Sequence, residues 1–219
     1  MKPLVKICGL STIGTMQATL DAGADIVGLV FHRKSPRSVS LQRAAELVEM
    51  ARGKALVVAL TVDPSDEGID AIMENIAPDI FQLHGSETAE RCSIIATRTG
   101  RSIMKAIGVA EAADLVAIKP YRNKTDRILL DAKPPKDAAY PGGHGKVFDW
   151  HILRGLDPFM PFMLSGGLVP ENVAEAITTM RTFGLSLTGV DVSSGVESAP
   201  GVKDIHKIRA FIEKARQAS

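Results

Sequence analysis

Two cysteines are all this sequence carries, Cys8 and Cys92, and they lie far apart in the chain. So sparse a complement points to free thiols in a reducing cytoplasm rather than to a disulfide framework. Long apolar stretches are missing as well: no run approaches the roughly 18 residues that a membrane-spanning helix needs. The opening Met1-Lys2-Pro3-Leu4-Val5-Lys6-Ile7 has neither the apolar core nor the small-residue cleavage site of a secretory signal, so none is expected. An excess of charge is absent too, since 26 Lys and Arg stand against 25 Asp and Glu for a net charge of +1. That balance favours neither a nucleic-acid nor a membrane-surface partner. With no linker, no low-complexity tract and 45% hydrophobic residues, the 219 residues read as one globular domain spanning 1–219.

What is there is a regular alternation. Short apolar, β-branched runs recur at Leu4 to Ile7, Ile26 to Phe31, Ala55 to Val62, Ile80 to Leu83, Ser102 to Ile107, Ile128 to Leu130, Phe159 to Leu164 and Thr188 to Val190. Helix signals fill the gaps. Ser11 suits a cap for a helix ending at Gly23, and Pro64 suits a first helical residue after Asp63. Leu41 to Met50, Glu87 to Arg98, Glu111 to Ile118, Glu171 to Met180 and Ile205 to Ala215 show helical spacing, while the sixth connection offers only Trp150 to Leu153. Eight strands in 219 residues, about 27 per unit, predict a compact α/β fold, a closed parallel (β/α)8 TIM barrel. Alternation alone leaves a doubly wound open sheet as the alternative.

Parallel α/β folds place their chemistry where strands end. By that rule the candidates are Cys8-Gly9 after strand one, the basic loop His32, Arg33, Lys34 and Arg37 after strand two, and His84-Gly85 after strand four. Asp131 closes strand six, Ser165-Gly166-Gly167 follows strand seven, and Asp191-Val192-Ser193-Ser194-Gly195 follows strand eight. Either glycine loop alone could be a tight turn, but together, after strands seven and eight, they fit a phosphate cradle. A thiol and a carboxylate at separate strand ends can serve as base and acid. Cys8 as a nucleophile, or as a small buried hydrophobe, is the alternative, and Asp131 could instead bond neighbouring loop backbone. The Arg37 fork suits a substrate carboxylate, although a loop this basic can also be a solvated face.

Taken in order, the motifs resemble those of phosphoribosylanthranilate isomerases. The likeness runs from Lys6 to Asp204: Lys6-Ile7-Cys8-Gly9, Gly28-Leu29-Val30-Phe31 with Ser35-Pro36-Arg37, Gln82-Leu83-His84-Gly85, Leu130-Asp131, Gly142-Gly143-His144-Gly145 with Phe148-Asp149-Trp150, Ser165-Gly166-Gly167, and Asp191 to Glu197. His144 and Val169 depart from the family's usual hydroxyl residues at those places. The resemblance implies an Amadori rearrangement of N-(5-phosphoribosyl)anthranilate, with no metal and no cofactor. In it Asp131 is the general acid, Cys8 the base, Arg37 the carboxylate clamp, and Gly166, Gly167, Asp191, Ser194 and Gly195 are substrate contacts. Asp131 would then have to titrate high and Cys8 low. The expected partner is a small phosphorylated substrate, and the expected state a monomer rather than a homodimer. Two rivals share the phosphate loops: a histidine-pathway Amadori isomerase, which resembles this chain but with an Asp in place of Cys8, and a non-catalytic phosphosugar-binding barrel.

Overall fold

The alternating pattern closes on itself. In the computed structural model, which describes residues 2–133 and 148–218, eight parallel strands pair in sequence order and β8 returns to β1. They are β1 (Leu4–Cys8), β2 (Ile26–Val30), β3 (Leu56–Thr61), β4 (Ile80–Leu83), β5 (Ser102–Val109), β6 (Arg127–Ala132), β7 (Phe162–Leu164) and β8 (Leu187–Val192). The seam is set by Leu4 opposite Gly189 and Lys6 opposite Asp191, so the open-sheet alternative falls away. The glycine-rich segment 142–145, with His144, lies outside the described residues.

Strand side chains alternate between two cores, as a period of two requires. Ile26, Val58, Ile80, Met104, Ala106, Leu129 and Met163 fill the barrel interior as one cluster. Their outward neighbours, among them Val27, Leu29, Phe81, Ile103, Leu130 and Val190, join the larger core beneath the helices. Each such side chain contributes roughly 1.5–3 kcal/mol by leaving water. Asp191 falls inside β8 rather than in the loop after it, which turns its side chain into the barrel beside that of Lys6.

The helices are α1 (Ile13–Asp21), α2 (Leu41–Ala51), α3 (Asp66–Ile76), α4 (Ala89–Thr99), α5 (Val173–Thr182) and α6 (Ile205–Gln217). Thr12, not Ser11, caps α1, because its hydroxyl accepts from the Thr15 amide. Pro64 does not begin α3: Ser65 is the cap, and Asp63 takes a left-handed turn at φ 46° before it. The apolar stretch 111–118 winds as a 3-10 helix over Ala112–Tyr121 with Pro120 inside it, and Trp150–Gly155 forms another. α5 starts at Val173 rather than Glu171. β7 is shorter than the apolar run predicted, since Phe159 is 87% exposed and its amide bonds Asp157 in a turn. A small hairpin between β8 and α6 was not foreseen: β9 (Glu197–Ala199) pairs antiparallel with β10 (Val202–Lys203) around Pro200-Gly201. Among the described residues no helix is long and apolar enough to cross a membrane.

At the end where strands begin, a motif repeats. Asp25, Asp79 and Asp126 each stand one residue before β2, β4 and β6, and each accepts the amide of the preceding strand, from Val5, Val57 and Ile103, all at 2.7 Å. Arg216 of α6 adds a 2.6 Å ion pair to Asp25, tying the last helix to the first strand pair.

Candidate active site

At the opposite end of the barrel the inward side chains turn polar. Cys8 ends β1 and is 3% exposed. Its neighbour across the sheet is Gly28, and a Cβ there would lie 2.8 Å from the Cys8 sulfur, so the glycine is what gives the thiol its room. Overpacking of this kind costs about 1–3 kcal/mol. Gly28→Ala should therefore lower stability by that amount in urea titrations and change the rate at which Cys8 reacts with thiol reagents. A variant equal to wild type in both would show that the thiol is not confined there.

Beside Cys8 the chain makes a clamp. The Arg37 stem crosses Gly9, where a Cβ would meet its Cδ at 2.7 Å and where φ is +79°. Its guanidinium grips Glu197 through two bonds, Nε to Oε1 at 2.7 Å and Nη2 to Oε2 at 2.9 Å. Lys203 Nζ also donates to Glu197 Oε1 at 2.7 Å, and on to the Ser193 carbonyl at 2.8 Å, while the Ser193 hydroxyl donates to the Cys8 carbonyl. Burial pushes the Glu197 carboxyl up, but Arg37 and Lys203 more than offset it and hold it below the usual range. The basic loop thus divides: Arg33 and Lys34 are solvated as a charged face would be, whereas Arg37 is turned in and buried.

Asp131, the last residue but one of β6, is buried on the same inward face. Its Oδ1 accepts the Ala132 amide at 2.8 Å, the backbone bond that was the modest expectation for it. Its Oδ2 lies 3.2 Å from His84 Nε2. The Gln82 amide donates to His84 Nδ1 at 3.1 Å, which leaves the ring proton on Nε2, facing Asp131. Sequence reasoning named His84 without a role; this pairing gives it one.

His84 is itself held from behind. Lys105 points out of the barrel and is nearly buried, and its Nζ donates to the Leu83 carbonyl at 3.2 Å, the Gly85 carbonyl at 2.7 Å and Glu87 Oε2 at 2.8 Å. Glu87 in turn accepts the Asp63 and Gly85 amides. A buried pair therefore fixes the backbone on both sides of His84. Neither Lys105 nor Glu87 was foreseen, nor was Lys6, and the signal in each case is a charge inside an apolar strand or just beyond one.

The loops after β7 and β8 press together. A Cβ on Gly195 would lie 1.9 Å from the Leu168 carbonyl oxygen, and one on Gly166, at φ +83°, 2.3 Å from the Ala132 amide. Only glycine permits this approach. Asn172 braces the first loop, accepting from the Val169 amide and donating to the Gly167 carbonyl. The backbone N–H groups of Gly166, Gly167, Ser194 and Gly195 find no acceptor among the described residues. Unpaired amides on two adjoining glycine loops are the kind of donor that anion sites use. Asp191 differs, since Lys6 takes its Oδ1 at 2.7 Å and Ser165 its Oδ2 at 2.8 Å.

One sequence expectation reverses. A lowered Cys8 was anticipated, but burial pushes the thiol up, and the opposing Lys6 charge does not overcome it. Part of that charge is already spent on Asp191.

Comparison with known proteins then fixes the family. The family model for N-(5'phosphoribosyl)anthranilate (PRA) isomerase matches residues 5–214. An N-(5'-phosphoribosyl)anthranilate isomerase of Bradyrhizobium diazoefficiens is 55% identical over 216 residues, 99% of this chain and 95% of that one. The crystal structure of phosphoribosyl anthranilate isomerase from Thermotoga maritima superposes with a TM-score of 0.85 at 38% identity, covering 98% of this chain and 99% of that one. A second similar structure, of the isomerase bound to reduced 1-(o-carboxyphenylamino)-1-deoxyribulose 5-phosphate, has a TM-score of 0.82 at 35% identity, with 98% and 99% covered.

Proposed function

The chain belongs to the N-(5'-phosphoribosyl)anthranilate isomerase family, and on that premise we propose how its strand-end residues divide the reaction. It is an isomerase of tryptophan biosynthesis, converting an N-glycoside of anthranilate, an aminoaldose, into the corresponding aminoketose, 1-(2-carboxyphenylamino)-1-deoxyribulose 5-phosphate. Oxidation at C2 and reduction at C1 of the same sugar balance each other, so protons are all that must be moved.

Asp131 delivers a proton to the ribose ring oxygen, which opens the ring to a Schiff base. The Nε2–H of His84, at 3.2 Å, orients that carboxyl, which recovers its proton from solvent at the mouth. Cys8, as thiolate, then removes the C2 proton, and the enolamine tautomerises to the ketone. The Gly166, Gly167, Ser194 and Gly195 amides hold the phosphate, Arg37 the anthranilate carboxylate, and Asp191 contributes through Lys6 and Ser165 rather than by direct contact. Fixing both ends of the substrate leaves C2 and the ring oxygen between a thiol on β1 and a carboxylate on β6. That placement of Cys8 and Asp131 at the same mouth is the observation that carries the reading. The thiol here, in place of a carboxylate, speaks against the histidine-pathway rival. We also read the enzyme as a cytoplasmic, single-domain monomer; its two buried free thiols suit a reducing compartment.

The test is to follow the loss of substrate fluorescence on rearrangement in chelator-treated buffer. Wild type should turn over at a catalytic rate, and Cys8→Ser should lose about two to four orders of magnitude in kcat. Because the Cys8 thiol is raised, kcat/KM should climb with pH beyond the usual thiol range as the free enzyme's thiolate forms. Dependence on an added metal, or near-normal turnover by Cys8→Ser, would defeat this assignment.

A further inference from the structure

Cys8 must lose its proton in a place where burial opposes negative charge. One inward position below it on β1 lies Lys6, 0% exposed, with Nζ 2.7 Å from Asp191 Oδ1 across the strand seam. The interior positions around this pair are apolar: Ile26, Val58, Met104, Leu129 and Met163 form one packed cluster. A buried ion pair in such surroundings generally stabilises a fold no better than apolar side chains of the same volume. The barrel has no architectural need for a charge there, yet the charge sits directly beneath the thiol.

We propose that Lys6 is the cation that makes Cys8 a base. Asp191 is the counterion that keeps Lys6 charged while the site is empty, and Ser165 ties that counterion to the loop after β7. Lys6 is a positioning residue in this sense: it acts through Cys8 and touches no reacting atom. The inference rests on the reading of Cys8 as the base.

The other charged groups near the thiol are already engaged. Arg37, from the loop after β2, and Lys203, from the hairpin, both hold Glu197. On the far side of the mouth His84 and Asp131 face one another, and Gly28, the neighbour on β2, brings no charge. Burial pulls Lys6 down, but Asp191 and Cys8 together raise it above its ordinary value, so it is charged throughout the working range. Burial raises Cys8, Lys6 opposes that most strongly, and Asp191 adds to the rise. Charge counting gives the same signs. With the neutral Lys6–Asp191 pair in place, ionising Cys8 leaves a buried excess of one negative charge; without Asp191, the thiolate and Lys6 would neutralise each other.

The two residues should therefore move the thiol in opposite directions. The ultraviolet thiolate band, read as a difference from Cys8→Ser, reports the Cys8 midpoint without any turnover. Lys6→Met should raise that midpoint by about one pH unit or more and cut kcat/KM at neutral pH by about tenfold or more. Asp191→Asn should lower it. Lys6→Met strands a buried carboxylate and can fail to fold; the uncharged double variant Lys6→Met/Asp191→Asn then replaces it, with a midpoint still above wild type. A purely structural role would shift both single variants alike or neither, and either result, or a double variant at or below wild type, overturns the proposal. Failure of the Cys8 assignment is seen separately, as near-normal kcat in Cys8→Ser with the thiol shifts intact.

Discussion

Asp131→Asn should lower kcat by about two to four orders of magnitude, the usual worth of a positioned general acid, while KM changes little. Asn keeps the size of the side chain and can still accept the Ala132 amide through Oδ1, so the end of β6 should hold its shape. What it removes is the capacity to give a proton to the ring oxygen, and with it the partner of His84 Nε2. Steady-state kinetics by substrate fluorescence, with far-ultraviolet circular dichroism as the control for folding, decides the matter. A folded Asn variant within a few-fold of wild type would mean that ring opening takes its proton from elsewhere.

The second large effect is on stability and lies behind the site. Lys105→Met should cost about 3–5 kcal/mol in chemical denaturation, because Glu87 would be left charged with its side chain only 1% exposed. Adding Glu87→Gln should recover most of that loss, since the glutamine is neutral and can still accept from Asp63 and Gly85. Turnover should not recover with it. Lys105 also holds the Leu83 and Gly85 carbonyls, and without those bonds His84 is no longer fixed against Asp131. If stability and kcat returned together, the pair would be a fold element only. A loss below about 1 kcal/mol in the single variant would place it among weak surface pairs.

How far the sequence spoke depended on whether the signal was local. The eight strands were legible because apolar pairs such as Val27 and Leu29 outside and Ile26 and Val30 inside make each strand nearly continuous in hydrophobicity. Boundaries were less so. Ser11 and Thr12 are equal as caps on paper, and only the bond from the Thr15 amide separates them. Phe159 and Met160 look like strand residues until the turn at Asp157 sets the first of them in solvent. Cys8, Asp131 and the glycine loops were found because strand ends are where parallel folds do chemistry. Lys6, Glu87 and Lys105 were missed for the opposite reason: a charged side chain beside β-branched ones usually faces water, and only closure of the barrel turns Lys6 inward beside Asp191. The hairpin at Pro200-Gly201 went unread although it carries a turn signal, and it is what brings Glu197 and Lys203 to Arg37.

The aspartates at the other end of the barrel bear on how such a molecule can be assembled. The carboxylates of Asp25, Asp79 and Asp126 stitch β1 to β2, β3 to β4 and β5 to β6, while the Asp25 carbonyl reaches the next pair by accepting the Leu56 amide of β3. β7 and β8 are joined there differently, through the Ser186 carbonyl and the Thr188 hydroxyl. By its side-chain bonds at this end, the eightfold outline is thus a ring of four two-strand modules. Chain breaks or new termini placed between modules leave every stitch intact, whereas the same cut within a module parts an aspartate from the amide it holds.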